Sequence, residues 1–463
     1  MTKTRREFLH QATCGTLSAS ALLAGLGRFA LIDALAAPTP GSGGGYRALV
    51  CIFLYGGNDS NNAVIPFDDY QLYANVRGGS GIAIPQTNLL PISPPSAGRQ
   101  FGFHPSLPEL HTLWNNKNLA VLCNFGTLTN PLTQSQYLAG VGRPYQLFSH
   151  SDQQNQWQTA YSTNPIGTGW GGRVVDETSA IGSDGRFPVI ASVAGVSAFS
   201  TGANTRPIVL SPAPTPLSQT LKLLKSDQGL LDALMEDSAS VMPTLIQSAA
   251  KVTSQAVDNS LLLTTNPTLT TVFPNTSLGN QLLQVAKLIK LATADSSLGL
   301  SRQIFFCSLG GFDTHFNQGN ITGVQASLLS QLSQAMAAFY NATVELGLAP
   351  QVTTFTASDF SRTFKPAQSG AATGTDHAWG SHQFVMGGGV AGGNFYGQYP
   401  NLELGGSDDA DSGSSARGRW IPTTSVDQYA ATLALWYGLP SSELPAVFPN
   451  ITNFSTSSLG FLL

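Results

Sequence analysis

Charged side chains are scarce in this chain. Of its 463 residues, 22 are lysine or arginine and 26 are aspartate or glutamate, so that only 10% are charged, against about a quarter in typical soluble proteins. The surface must therefore consist mainly of uncharged polar residues, a composition typical of exported proteins. No basic stripe runs along the chain, and this argues against nucleic acid as a partner, because such binding depends on clustered lysine and arginine.

Cysteine is also rare. The chain has four cysteines, of which Cys14 lies near the amino terminus, while Cys51, Cys123 and Cys307 each lie inside an apolar run. The absence of a Cys-x-x-Cys pair argues against a cysteine-ligated zinc site, and the odd number of remaining thiols argues against a disulfide framework. We therefore expect three buried, free thiols.

The first 36 residues predict an export signal. Residues 4–9 read TRREFL, a twin-arginine motif, and a mildly apolar segment and an Ala-Leu-Ala site at 34–36 follow it, as in cleaved leaders. Two glycines and an arginine make the segment too weak for a stable membrane anchor. We expect the twin-arginine export machinery as a partner, cleavage after Ala36, and a periplasmic or secreted protein.

The rest of the chain predicts one α/β domain with an insertion. After a linker at 37–45, continuous apolar runs within 46–463 predict strands buried on both faces, as in a mostly parallel central sheet flanked by helices. Residues 160–300 change character and predict an inserted, mostly helical subdomain. Its predicted helices are 216–236, 240–256 and 278–293.

Three of the predicted strands lead into similar polar segments. The runs 47–55, 303–309 and 352–356 are followed by Asp59, Asp313 and Asp359. Because ligands of open α/β sheets bind beyond the carboxyl ends of the strands, we expect the three aspartates to share a pocket. The structural alternative is a set of ordinary turn aspartates.

Histidines accompany two of these aspartates. His315 follows Asp313, and the loop after the third strand carries Asp376, His377 and His382. Acids and imidazoles grouped in this way predict either a divalent-cation site or acid–base chemistry. A polar loop held by its own turns is the alternative for this stretch.

Two further polar segments are open to more than one interpretation. Residues 149–152 read SHSD, so that Ser149 is a candidate nucleophile, although a helix cap explains the segment equally well. The acidic run at 407–411 lacks the glycine and the distal glutamate of a calcium-binding loop. It therefore predicts a solvated loop.

The motifs together resemble the DUF1501 family of exported proteins. Besides the leader, the resemblance is carried by 54–59 (LYGGND), 311–315 (GFDTH), 358–363 (SDFSRT), 374–377 (GTDH) and 419–424 (RWIPTT). That family in turn resembles the alkaline phosphatase/sulfatase superfamily, whose α/β sheet carries a two-metal centre at its strand ends.

This resemblance implies a metal-dependent hydrolase that acts on phosphate or sulfate esters, with an anionic small molecule or polymer as substrate. One or two divalent cations are expected, with zinc, manganese and calcium all chemically admissible. Arg362 would offset the charge of the leaving anion. The implied metal ligands, or residues supporting them, are Asp59, Asp313, His315, Asp359, Asp376, His377 and His382.

The chain departs from the superfamily pattern after the third strand. Phe360 follows Asp359, where the superfamily has an Asp-His pair. Either His150 or His382 would then supply the missing histidine, or only one metal would bind. The alternative function is a non-catalytic exported protein that retains a degenerate site for binding or for a structural metal.

Overall fold

A computed structural model describes residues 45–183, 187–220, 262–263, 265–294, 298–370 and 372–463. Within these ranges, nine strands form the main sheet and three short strands form a second, antiparallel sheet. The strands are β1 (Arg47–Leu54), β2 (Val64–Pro66), β3 (Leu90–Ile92), β4 (Phe101–Phe103), β5 (Leu119–Gly126), β6 (Ile190–Ser192), β7 (Ile208–Val209), β8 (Arg302–Leu309), β9 (Val352–Ser358), β10 (Ser381–Met386), β11 (Phe395–Gly397) and β12 (Thr424–Ser425).

The main sheet is mostly parallel. Its strand order is β11-β5-β10-β9-β1-β8-β6-β7, and β12 pairs with β5. The strands from β9 to β7 in this order run parallel to one another, whereas β10 is antiparallel to both of its neighbours.

Helices cover both faces of this sheet. Alternate residues of β1 point to opposite faces: Val50 and Ile52 belong to one buried apolar cluster, and Cys51 and Phe53 to the other. Fully burying a large apolar side chain contributes roughly 1.5–3 kcal/mol. The predicted fold class, an α/β sheet between helical layers, is confirmed. The helices are α1 (Ser60–Ala63), α2 (Tyr70–Arg77), α3 (Pro108–Asn115), α4 (Gln134–Leu138), α5 (His150–Thr159), α6 (Trp170–Gly182), α7 (Ser277–Ala294), α8 (Val324–Glu345), α9 (Val426–Tyr437) and α10 (Leu444–Val447).

The three strands predicted to lead to aspartates lie side by side as β9, β1 and β8. They are parallel, and Leu54 at the end of β1 pairs with both Leu309 and Ser358. Their carboxyl ends therefore meet at one edge of the sheet, where the polar loops begin.

The region predicted as an insertion contributes to the main sheet in its described part. Strands β6 and β7 extend the sheet beyond β8, and α7 confirms the helix predicted at 278–293. The predicted helix at 240–256, the helix at 216–236 from residue 221 onward, the signal at 1–36 and the linker up to residue 44 lie outside the described residues. The helical subdomain and the cleaved leader stay predictions.

The three cysteines of the described chain are free and buried, as expected from their apolar surroundings. Burial strongly raises the pKa of the Cys51 thiol. Among the helices that the structure describes, none has the length and the apolar character needed to cross a membrane.

Candidate metal centre

Two glycines directly after β1 bring the neighbouring strand ends together. Gly56 and Gly57 have φ angles of +110° and +81°, which favour glycine. A Cβ atom on Gly56 would lie 2.4 Å from the backbone nitrogen of Asp313, and one on Gly57 would lie 2.6 Å from the ring of Phe360. The Gly56 N–H also donates to both carboxylate oxygens of Asp359, at 3.2 and 3.3 Å. Larger residues here would push the ends of β8 and β9 away from β1.

Three histidines converge on one carboxylate oxygen at this edge. Asp313 Oδ1 lies 3.1 Å from His315 Nε2, 3.4 Å from His150 Nε2 and 3.6 Å from His377 Nε2. The Nε2 atoms of His315 and His377 lie 2.9 Å apart. We call these four residues the histidine cluster. Their side chains are 24–48% exposed, so a ligand can reach them from solvent.

Separate segments of the chain deliver these side chains. Asp313 and His315 follow β8, His377 lies in the loop between β9 and β10, and His150 is the first residue of α5. Hydrogen bonding between Thr375 N and Thr314 O, at 3.0 Å, ties the first two segments together.

Each histidine is oriented through its other ring nitrogen. In every case Nδ1 faces an oxygen of a carboxylate or a backbone carbonyl. Because these oxygens accept hydrogen bonds, Nδ1 carries the proton and the Nε2 lone pair is directed at the centre of the cluster. The pairs are His150 Nδ1 with Asp359 Oδ2 at 2.6 Å, His315 Nδ1 with Asp376 Oδ1 at 3.2 Å, and His377 Nδ1 with the Phe148 carbonyl at 2.7 Å.

The donor set fits a divalent transition-metal ion. Lone pairs that point at one another and at a carboxylate repel unless a cation or a shared proton lies between them, and His150 Nε2 is buried without a hydrogen-bond partner among the described residues. Donor atoms around a tetrahedral zinc ion lie roughly 3.3 Å apart, given Zn–N bonds of about 2.0–2.1 Å. Of the six separations among these four donor atoms, the three to Asp313 Oδ1 and the one between His315 and His377 run from 2.9 to 3.6 Å. His150, Asp313 and His377 also offer atoms that all lie within 4.8 Å of one another.

Two members of the cluster, Asp313 and His377, have the protonation states that favour metal binding. Burial alone would raise the pKa of Asp313, but the hydrogen bond and charge of Arg362 outweigh it and lower that pKa. The pKa of His377 is lowered, mainly by burial. In contrast, the pKa of His150 is raised, chiefly by its hydrogen bond to Asp359. Asp313 is therefore ionised and His377 neutral at neutral pH, the forms that bind a metal.

His150 occupies the place next to Asp359 where the sequence lacks a histidine. Phe360 packs against it, with ring centroids 4.8 Å apart, and stacks on His377 at 4.7 Å. Asp359 is fully buried and also accepts a hydrogen bond from Gln154 Nε2 at 2.8 Å. Asp359 and Asp376 thus orient histidines through their Nδ1 atoms.

The structure does not bring Asp59 to the cluster. Its carboxylate is fully buried and accepts hydrogen bonds from Arg77 Nη1 at 2.7 Å, Arg77 Nη2 at 3.1 Å and Gln318 Nε2 at 2.7 Å. An arginine on α2 therefore neutralises the charge that was expected to bind a metal.

His382 also lies away from the cluster, within β10. Its Nδ1 accepts a hydrogen bond from the Asn124 N–H at 3.1 Å, and its ring stacks on Tyr399 with centroids 4.8 Å apart. Burial lowers the pKa of His382 to about 3. These contacts place His382 in the packed interior of the sheet. Of the two histidines considered for the one missing after the third strand, it is His150 that lies beside Asp359.

Ser149 directly precedes His150, but its hydroxyl hydrogen-bonds to Asp152. Ser149 is the N-cap residue of α5, as the capping interpretation predicts, and its backbone carbonyl accepts the Gln153 N–H at 2.9 Å, but its side chain makes no capping hydrogen bond. In the described part of the chain, no serine or threonine hydroxyl hydrogen-bonds to a member of the histidine cluster.

The sequence matches the family model described as "Protein of unknown function (DUF1501)" over residues 46–413. The chain belongs to the DUF1501 family. The match confirms the resemblance to this family that the sequence motifs indicate. A search among curated proteins gave no match.

Several solved structures are distantly similar to this DUF1501 chain. Ps i-CgsB in complex with k-i-k-neocarrahexaose is 8% identical, with a TM-score of 0.34, over 88% of this chain and 77% of that one. The PsFucS1 sulfatase from Pseudoalteromonas sp. is 11% identical, with a TM-score of 0.32, over 78% and 66%. The C-terminal periplasmic domain of EcEptC from Escherichia coli, in complex with Zn, is 11% identical, with a TM-score of 0.30, over 76% and 77%.

Proposed function

We propose that this protein is an exported, metal-dependent hydrolase of phosphate or sulfate esters. The observation that carries the proposal is the convergence of three imidazole Nε2 atoms on the Asp313 carboxylate at the edge of an α/β sheet. The twin-arginine leader supports export, because this pathway carries folded proteins that often already hold a metal. The ester substrates follow from the resemblance of the family to the alkaline phosphatase/sulfatase superfamily.

Zinc is the metal that the ligand set favours. Three imidazoles and one carboxylate suit zinc and other transition metals, whereas calcium prefers a shell of six to eight oxygens. His150, His315, His377 and Asp313 would hold the ion. When bound, it supplies Lewis acidity for the ester oxygens and for the attacking group.

The protein side chains contribute orientation and proton transfer. Asp359 and Asp376 keep the protons of His150 and His315 on Nδ1. Arg362 and all three rings meet the same oxygen of Asp313, Oδ1, which leaves Oδ2 as a candidate proton acceptor. Ser149 is the candidate nucleophile, since the Asp152 carboxylate can accept its proton.

A non-catalytic metal-binding protein is the second candidate function. It is favoured by the hydrogen bonding of the Ser149 hydroxyl to Asp152 rather than to the cluster. It is also favoured by the Arg77–Asp59 pair, because a guanidinium neutralises the aspartate expected to hold a second ion. A four-ligand protein site of this kind also resembles structural zinc sites, which leave no position open.

Metal content and turnover of the purified mature protein test these functions. The hydrolase proposal predicts about one equivalent of zinc by elemental analysis, together with turnover of 4-nitrophenyl phosphate or 4-nitrophenyl sulfate. Asp313→Ala and His377→Ala are expected to lose both. The control is His111→Ala, a histidine whose ring lies 2.8 Å from the Pro91 carbonyl oxygen. Bound metal with no turnover of either ester supports the second function, and metal-free wild-type protein contradicts both.

A further inference from the structure

The arginine closest to the histidine cluster is already occupied by the protein. Arg362 has a fully buried side chain. Its Nη1 donates to Asp313 Oδ1 at 2.8 Å and to the Gly56 carbonyl at 3.2 Å, and Nε donates to the Thr375 hydroxyl oxygen at 3.3 Å. A substrate anion therefore cannot use this guanidinium without breaking contacts that hold the cluster together.

Two other arginines adjoin residues that orient the histidines. The Arg417 side chain is 42% exposed, and its Nη1 lies 4.0 Å from Asp376 Oδ2, on the carboxylate that faces His315. The guanidinium of Arg419 lies 4.2 Å from the ring centroid of Phe148, whose carbonyl faces His377. Each arginine is thus separated from a cluster histidine by a single residue.

Phe148 has a backbone conformation consistent with this arrangement. Its φ angle is +69°, a value that bulky residues rarely adopt and that costs on the order of 1–3 kcal/mol. The same residue directs its carbonyl to His377 at 2.7 Å and presents its ring to Arg419. The cost is offset by contacts on both sides of the residue, which couple Arg419 to the cluster.

The loop that carries the two arginines is held by one buried carboxylate. The sequence predicts a solvated acidic loop here, but Asp409 is fully buried and accepts hydrogen bonds from the N–H groups of four loop residues. Its carboxylate thus fixes the backbone on both sides of Arg417, so that little conformational freedom is lost when a ligand binds. The four donors are Gly405, Asp411, Gly418 and Arg419.

A side chain of α4 braces the same loop from outside. Gln134 Nε2 lies 2.9–3.3 Å from four backbone carbonyl oxygens. One side-chain amide group therefore contacts, and stabilises, the turn that precedes the arginines. The four carbonyls belong to Gly405, Gly406, Asp409 and Asp411.

A bound metal would offset the excess of carboxylates around the cluster. Five carboxylates and three guanidiniums give a net charge of −2 without an ion, and a divalent cation changes it to 0; the groups are Asp313, Asp359, Asp376, Asp409 and Asp411 with Arg362, Arg417 and Arg419. Asp411 pairs with both Arg417 and Arg419, at 3.4 and 3.5 Å, and the buried Nε of Arg419 makes no hydrogen bond within the described part of the chain. Each guanidinium carries five N–H donors, more than the shared carboxylate uses, so the pair retains donors for a further acceptor.

We propose that Arg417 and Arg419 form an anion subsite that binds the negatively charged group of the substrate beside the metal. This inference rests on the proposed function and specifies its substrate class: an ester that carries a tetrahedral oxyanion, phosphate or sulfate. The planar guanidinium fork suits two oxygens of such a group. Arg417 contributes more than Arg419 because it is the more exposed of the two.

Calorimetric titration of the zinc-loaded protein with inorganic phosphate and with inorganic sulfate tests the subsite. Arg417→Ala is expected to weaken the affinity for the bound anion about 10- to 100-fold, the usual scale for one charge-assisted contact, while zinc content stays unchanged. Arg417→Lys is expected to restore only part of the loss. Arg99→Ala is the matched control, because Arg99 is similarly exposed and also pairs with a carboxylate; it is expected to bind anions like the wild type.

The outcomes separate this inference from the proposed function. Unchanged anion affinity in the Arg417→Ala, Arg419→Met double variant, or no anion binding by the zinc-loaded wild type, overturns the subsite. Anion binding that depends on Arg417, in a protein that hydrolyses neither ester, supports the subsite and contradicts the hydrolase. If the wild type does turn over the chromogenic esters, Arg417→Ala is expected to raise KM more than it lowers kcat.

Discussion

The Asp359→Asn variant tests how the protein orients His150. Asp359 Oδ2 accepts the His150 Nδ1 proton at 2.6 Å and a proton from Gln154 Nε2 at 2.8 Å, and the Gly56 N–H meets both oxygens. An asparagine offers one acceptor oxygen and turns an NH2 group toward donors, inside a fully buried pocket. In the Asp359→Asn variant the His150 ring therefore loses its fixed orientation and the negative charge beside it.

Removal of a partner that orients a metal-bound histidine costs about 10- to 100-fold in metal affinity, which corresponds to about 1.4–2.7 kcal/mol at 1.36 kcal/mol per tenfold. We expect Asp359→Asn to weaken zinc binding by this amount in a competition titration with a fluorescent chelator. Protein stability is measured in parallel by urea unfolding of the metal-free form, so that loss of fold and loss of affinity are read separately.

Asp152→Asn is the control for this experiment. Asp152 lies in the first turn of α5, as His150 does, but it accepts hydrogen bonds from Ser149 and Ser151 rather than from a histidine. We expect it to leave zinc affinity unchanged. Equal zinc affinity in Asp359→Asn and the wild type would refute the conclusion that Asp359 orients His150 toward a metal.

Three further predictions follow from buried or polar groups around the sheet edge. Arg77→Met leaves the fully buried Asp59 carboxylate without its cation and is expected to lower the free energy of unfolding by about 3–5 kcal/mol in urea; a change below about 1 kcal/mol would contradict this. Burial lowers the pKa of His382 to about 3, whereas in the unfolded chain it is about 6.5. The unfolded chain therefore binds the proton first as the pH falls. The resulting contribution to the free energy of unfolding, up to roughly 5 kcal/mol, is complete above about pH 6.5 and is lost toward pH 3. Unfolding of the wild type and of His382→Gln across this range should show a shallower dependence of stability on pH in the variant, and identical slopes would contradict a buried, neutral His382. Ser149→Ala is expected to keep zinc and to lose ester turnover by at least about 100-fold; unchanged turnover would assign the attack to water.

Much of the sheet edge could be predicted from the sequence because its signals are local. A long apolar run followed by an aspartate, in two of the three cases after Gly-Gly, predicts the end of a strand buried on both faces, and the three predicted strands lie next to one another. The same reasoning places Asp313, His315 and His377 at a common edge. Neighbouring positions along the chain suffice for these residues.

His150 and Asp59 show where such reasoning ends. His150 meets Asp359 across 209 positions of sequence, and nothing in its polar segment specifies that α5 begins beside β9. Asp59 follows its strand in the same pattern as Asp313, but an arginine 18 residues away on α2 binds it. Its neutralisation depends on how α2 packs, which the pattern of residues near Asp59 does not encode.

Strand β10 had no clear signal either. Its residues, SHQFVM, lie between glycines and include buried polar side chains, so that they resemble a loop as much as a strand. The strand is fixed by pairing with β5 and β9 on both sides. This pairing carries His382 into the sheet, away from the loop that holds His377.

Anomalous X-ray diffraction at the zinc edge, from crystals of the mature protein, shows whether the histidine cluster holds a metal. We expect one peak, about 2 Å from Nε2 of His150, His315 and His377 and from a carboxylate oxygen of Asp313. A crystal with zinc in its buffer but no peak among these four side chains, or with its bound ion on Asp59, would contradict it.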